Sequence, residues 1–226
     1  LLSLPELSGT FQYTAVLGAA SLGSYTKQLQ QYVHVGFKGF KVKISGNLDE
    51  DKQKIEALRA LGDGVRVRLD ANNLWDNAEQ AIHHIQSLNY PFFAIEEPIS
   101  ANNYAGCQAI YNAFGIPVIL DESFLRQQQF KHIANTPSVW IINLRISKMG
   151  GILRSLAIAE QAKAYGIPII IGSQVGETSI LTRAALTVAN NYRENLLAQE
   201  GAFGTHLLEY DIVEEPIMFR KCGRLE

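Results

Sequence analysis

At 226 residues, 47% hydrophobic and 19% charged, the chain suits one large α/β domain able to bury about three-quarters of its unfolded surface. A net charge of −2 gives no electrostatic footprint for nucleic acid or an anionic membrane surface, and no apolar run reaches membrane-spanning length. Cys107 and Cys222 are too few for a disulfide framework and the opening is not a basic–apolar signal segment, so a cytoplasmic location is the default expectation.

Leu1 to Gly9 contains Pro5 and lacks periodicity, which predicts a linker over 1–9. Phe11 to Leu17 (FQYTAVL) alternates as a first strand, with Gly18-Ala19-Ala20 as its tight exit. Helix formers from Ser24 to Val35 lead to a strand at Phe40–Ile44. A helix over Asp49–Leu61, stopped by Gly62 and Gly64, precedes a strand at Val65–Asp70. Asp76 and Glu79 form a capping-box-like start for a helix through Leu88. Strands at Phe92–Glu96, Val118–Asp121 and Trp140–Arg145 then alternate with helices at Tyr104–Phe114 and Arg126–Asn135. Gly150-Gly151 opens a helix to Ala164, followed by a strand at Ile169–Gly172, a helix over Thr178–Asn190 and an eighth strand at Leu196–Glu200. The regular strand interval and the Gly-Ile-Pro turns predict a TIM-like α/β barrel over 10–204 rather than a doubly wound sheet, and no phosphate-loop pattern follows any strand. Residues 205–226 lie outside the repeat and are expected to pack on the barrel or on another domain.

Charge falls at the ends of five apolar runs, at Lys41 and Lys43 (FKVKI), Asp70 (VRVRLD), Glu96 (FFAIEEP), Asp121 (VILDES) and Arg145 (WIINLR). From Lys43 the steps are 27, 26, 25 and 24 residues, one strand–helix unit each, so these groups converge at the carboxyl-terminal rim, where barrel active sites sit. Lys41 and Lys43 emerge on one face of a strand, where two facing ammonium groups disfavour each other's charge and leave an amine able to act as a base; two solvated lysines at a strand end are the plain alternative. Of the adjacent acids Glu96 and Glu97, only one can face the rim centre. Three carboxylates on consecutive strands repel unless a cation joins them, and hard oxygen donors suit Mg²⁺ better than zinc. The Gly172–Thr178 loop could present N–H groups to an anion, or be a plain helix entry. His34, His83, His84, His132 and His206 show no ligand spacing, which leaves them as surface or helix-layer residues.

Taken in order, FKVKI, RLDANNLW, IEEP, ILDES and INLRISKMGGI resemble the enolase superfamily, in its muconate-lactonizing subgroup, from about Phe11 to Gly204. The resemblance implies a modified (β/α)7β barrel binding Mg²⁺ through Asp70, Glu96 and Asp121, with a small-molecule carboxylate as substrate. Lys43 matches the base that removes the proton beside the carboxylate and Lys41 its neighbour, while Asn72 and Lys148 would support these groups from behind. Ser173, Gln174 and Glu200 are weaker candidates for substrate contact. Arg145 stands where a second catalytic lysine is usual, and arginine is effectively always protonated. Single-base chemistry, syn elimination of water or cycloisomerisation, is therefore expected ahead of epimerisation of amino-acid derivatives or dipeptides. Family members also carry an amino-terminal capping domain that chooses the substrate, and none of it is in this sequence. Assembly into homo-oligomers is left open. Outside this class, a non-catalytic metal-binding barrel is the alternative; a phosphate-binding barrel would not require the three carboxylates.

Overall fold

Short runs rich in β-branched residues, bounded by glycine, proline or asparagine, form the strands, and the longer amphipathic segments between them form the helices. The computed structural model describes residues 4–18 and 21–226. The first residues of the expected linker, the Ala19-Ala20 exit and the His206 side chain lie outside what is described. In chain order the strands are β1 (Phe11–Gln12), β2 (Ala15–Leu17), β3 (Gly39–Lys43), β4 (Arg66–Asp70), β5 (Ala94–Glu96), β6 (Val118–Leu120), β7 (Trp140–Leu144), β8 (Ile169–Ile171), β9 (Leu196–Gln199) and β10 (Arg224–Leu225). The helices are α1 (Leu22–Val35), α2 (Leu48–Arg59), α3 (Ala78–Leu88), α4 (Tyr104–Phe114), α5 (Phe130–Ile133), α6 (Ile146–Met149), α7 (Ile152–Ala164), α8 (Ser179–Asn191) and α9 (Gly204–Leu207). No helix among the described residues is long and apolar enough to cross a membrane.

Residues 14–124 with 138–140 form one compact unit. Its strands β2 to β6 lie parallel in chain order, each joined to the next through a helix, as parallel neighbours require. Ile95, Val118, Ile119 and Leu120 are wholly buried, the continuous apolar pattern of strands covered on both faces. Asn47 caps α2, its side chain accepting from the N–H groups of Asp49 and Glu50, and acids at 49, 50 and 51 complement the helix dipole. At α3 the expected cap shifts by one residue. Asn77, not Asp76, accepts from the Gln80 N–H, and the Gln80 side chain returns to the Asp76 N–H. Gln80 can accept at that distance from the helix start, so the reciprocal pair forms there and leaves Glu79 outside it.

The second unit holds residues 1–13, 125–137 and 141–226. Here β7, β8 and β9 are parallel, whereas β1 pairs antiparallel with β10. The single first strand expected over Phe11–Leu17 is thus two strands. Tyr13, Thr14 and Ala15 are all buried, which breaks the alternation, and the Tyr13 N–H bonds to the Gly223 carbonyl. The helix expected at Arg126–Asn135 is a 3₁₀ turn, Gln127–Gln129, followed by α5, because the Gln129 side chain accepts from the N–H groups of Leu125 and Arg126 and tightens the start. At Gly150-Gly151 the first glycine ends α6 at φ 85° and the second precedes α7 at φ 106°, left-handed values that suit glycine alone.

Candidate active site

In-register pairing places Lys41 opposite Arg68, and Lys43 opposite Asp70, which in turn stands opposite Glu96. Lys41 is buried, with Nζ 3.1 Å from Asp70 Oδ2 and 2.9 Å from each Glu96 carboxylate oxygen. Arg68, fully buried, has Nε 3.9 Å from Glu96 Oε2 and donates to Thr14 Oγ1. Lys43 differs from its neighbour. Its side chain is 36% exposed, and its Nζ donates to Asn72 Oδ1 at 2.9 Å and lies 3.8 Å from Asp70 Oδ2. The sequence pattern predicts two ammonium groups facing each other; in the structure the Asp70 carboxylate stands against both. One lysine is a buried counter-ion and the other an accessible amine at the strand end.

Asn72 reaches Lys43 because its backbone is left-handed at φ 47°, a conformation that asparagine tolerates, and because its N–H donates to Asp70 Oδ1. The loop after β4 therefore folds back over the end of β3.

Glu97 turns away from Glu96, as the strand alternation demands. Its Oε1 accepts from the backbone N–H groups of Asp121 at 2.6 Å and Ser123 at 2.7 Å. Its Oε2 accepts from Ser123 Oγ at 2.8 Å and from Asn73 Nδ2 at 3.1 Å. Burial pushes this carboxyl above the usual value, against the lowering effect of the hydrogen bonds from Ser123 and Asp121. The sequence reading left Glu97 without a task. Here it ties the loops after β4 and β6 to the end of β5, and the adjacency of two acids before a proline was the only available signal.

Asp70, Glu96 and Asp121 are each only 1% exposed, at or just past the ends of three neighbouring strands. Among the described residues no three His, Cys, Asp or Glu side chains stand close enough to hold a metal ion. The Lys41 ammonium is in contact with both Asp70 and Glu96. By chemistry the donor set fits a hard cation: three buried carboxylates on neighbouring strands, two of which already meet a positive charge, the Lys41 ammonium.

The second unit holds the remaining candidates, with Arg145 just past the end of β7. Its Nη1 is 3.5 Å from Gln174 Oε1, and the Gln174 N–H donates to Glu177 Oε1 at 2.7 Å. Burial raises the Glu177 pKa and the Glu200 charge adds to that, while the Gln174 N–H and Arg145 oppose it. Glu200 is buried at the end of β9, with its N–H on the Ile171 carbonyl. Ser173 neighbours the β9 exit, where a Cβ at Gly201 would come within 3.1 Å of it. Gly172 has no room for a side chain, since a Cβ there would meet Asn143 Oδ1 and Arg145 Cγ. Lys148 is half-buried on α6, beyond the strand. In the sequence Glu177 reads as an acid near the positive end of a helix entry.

Comparison with known proteins identifies the family. The model of the enolase C-terminal domain-like family matches residues 24–225. Muconate cycloisomerase 1 of Pseudomonas putida is 35% identical over 184 residues, 80% of this chain and 48% of that protein. The N-succinyl-L-Arg/Lys racemase of Bacillus cereus is 28% identical over 181 residues, 79% of this chain and 49% of its own length. Among solved structures, the dipeptide epimerase from Enterococcus faecalis V583, complexed with Mg and the dipeptide L-Leu-L-Tyr, superposes with a TM-score of 0.87 at 25% identity. That match covers 99% of this chain and 63% of the other. The chain spans about half the length of these curated relatives. The α/β barrel class expected from strand spacing is borne out, as is the resemblance carried by the strand-end motifs. With the family model covering nearly all of the sequence, the chain belongs to the enolase C-terminal domain-like family, among relatives that include cycloisomerases, epimerases and racemases.

Proposed function

We propose that this barrel abstracts the α-proton of a small carboxylate substrate, with Lys43 as the base and Mg²⁺ held by Asp70, Glu96 and Asp121. The reaction is a single-base one, either syn dehydration or cycloisomerisation. The observation that carries the reading is the division of labour between the two lysines: Lys41 is spent as a buried counter-ion, and Lys43 presents an accessible amine beside Asp70.

Bound Mg²⁺ would supply Lewis-acid stabilisation of the negative charge that builds on the substrate carboxylate when its weakly acidic neighbour proton leaves. Lys43 takes that proton on Nζ, held toward the strand end by the Asn72 amide oxygen. Lys41 and Arg68 keep the buried carboxylates neutralised and in place. Arg145 itself offers permanent positive charge and hydrogen-bond donors but no proton acceptor. This favours chemistry that needs a base on one side of the carbon only. In the whole protein a capping domain, linked in cis, would complete the pocket and select the substrate; the relatives' greater length supports this.

Epimerisation is the second reading, favoured by the racemase and epimerase relatives. The two part in heavy water. With Mg²⁺ and a panel of N-acyl amino acids, dipeptides and hydroxy or unsaturated acids, proton NMR should show loss of the α-proton signal. A single-base enzyme retains configuration at the exchanged carbon, whereas an epimerase yields both stereoisomers carrying deuterium. No exchange with any member would count against proton abstraction itself. For the metal, Asp121→Asn should weaken Mg²⁺ binding about tenfold or more in titration calorimetry, since it removes one charged oxygen donor. Equal affinity would remove Asp121 from the ligand set.

A further inference from the structure

The helix layer beneath the rim holds a buried polar group that the mechanism leaves unused. Asp51 on α2 is fully buried, and its carboxylate accepts from the backbone N–H groups of Ser45 and Gly46, each at 2.9 Å, and from Ser45 Oγ at 3.0 Å. Lys54 Nζ lies 3.4 Å from Oδ1, and His84 Nε2 of α3 lies 3.1 Å from Oδ2. Burial works against the charge on Asp51, but the hydrogen bonds from His84, Ser45 and Gly46 outweigh it and keep the carboxyl below its usual value. An ionised carboxylate only accepts, so His84 Nε2 carries the hydrogen in this contact. The imidazole also packs on Trp75, in a second rim loop, with ring centroids 5.1 Å apart.

These contacts close a ring. Ser45 and Gly46 lie in the loop after the strand that carries Lys43, separated from its end by one residue, and Trp75 lies in the loop that carries Asn72. Asp51 clamps the first loop, His84 joins Asp51 to Trp75, and the Lys43–Asn72 hydrogen bond closes the circuit at the rim. We infer that His84, acting through Asp51 and Trp75, is a positioning residue that sets the distance between the two rim loops and so holds the Lys43 amine against Asn72. Aimed at catalysis, this rests on the reading of Lys43 as the base; as a statement about where the Lys43 amine sits, it stands alone. The sequence pattern leaves His84, beside His83, as a surface or helix-layer residue, and the structure places it in the helix layer. The location is right, but the task comes from the buried acid that α2 brings to it.

The experiment uses the full-length protein and reads the Lys43 amine directly. His84→Leu, His84→Gln and, as a destabilised control on another helix, Ile110→Val are labelled with trace acetic anhydride. Modification of Lys43 is measured against exposed Lys52 by peptide mass spectrometry, with melting temperatures taken alongside. His84→Leu should raise the relative labelling of Lys43 several-fold and lower kcat about tenfold at little change in KM, as a displaced base does. His84→Gln, which can still donate to Asp51, should restore both, and Ile110→Val should change only the melting temperature. Unaltered Lys43 labelling in His84→Leu, whatever its melting temperature, overturns the inference. If Lys43→Ala retains full turnover, the proposed reaction fails while the labelling result still decides the role of His84.

Discussion

Replacing Lys43 with alanine is expected to lower α-proton exchange and turnover about a thousandfold, within the range for loss of a positioned general base. The fold should survive, because the side chain is more than one-third exposed and its removal leaves the Lys41 contacts with Asp70 and Glu96 in place. Circular dichroism and the melting temperature check that point, and exchange rates in heavy water read the chemistry. Lys43→Arg should not rescue, since guanidinium keeps its charge and accepts no proton. A Lys43→Ala variant with undiminished exchange would return the barrel to the non-catalytic class, with Lys43 as a surface charge.

The second large effect falls on stability. Glu97→Ala is expected to lower the unfolding free energy by about 4 kcal/mol, read as the shift in a urea transition at unchanged slope. Both Glu97 carboxylate oxygens are engaged, and truncation strands the N–H groups of Asp121 and Ser123 beneath a buried rim. Each unsatisfied buried donor costs roughly 1–3 kcal/mol, with water entry limiting the sum. Glu97→Gln keeps an acceptor for the two N–H groups and should lose about 1 kcal/mol. A Glu97→Ala transition within about 1 kcal/mol of the parent would mean that the loops after β4 and β6 find other anchors.

Much of the scaffold was readable before any coordinates. Strands of β-branched residues at near-constant spacing, with helix formers between them, left few architectures open, and residues two apart on one strand had to share a face. That reasoning placed Lys41 with Lys43, and Arg68 with Asp70. It also separated Glu96 from Glu97, since neighbours along a strand must diverge. The misreadings came where side chains override the local pattern. Three consecutive buried residues split the first strand, with the chain's last segment supplying a partner for β1, and the cap of α3 moved to the residue whose reach satisfied the free N–H groups.

By itself the sequence determined the order of the elements and which residues share a strand face, because the pleat period and hydrophobic patterning are local properties of the chain. Only the tertiary structure decided which lysine is buried between two acids and which stays open to solvent. It also decided that Glu97 binds the rim loops and that His84 meets a hidden Asp51. Those outcomes depend on desolvation and on partners 24 to 55 residues apart in the chain, distances over which no local pattern carries information.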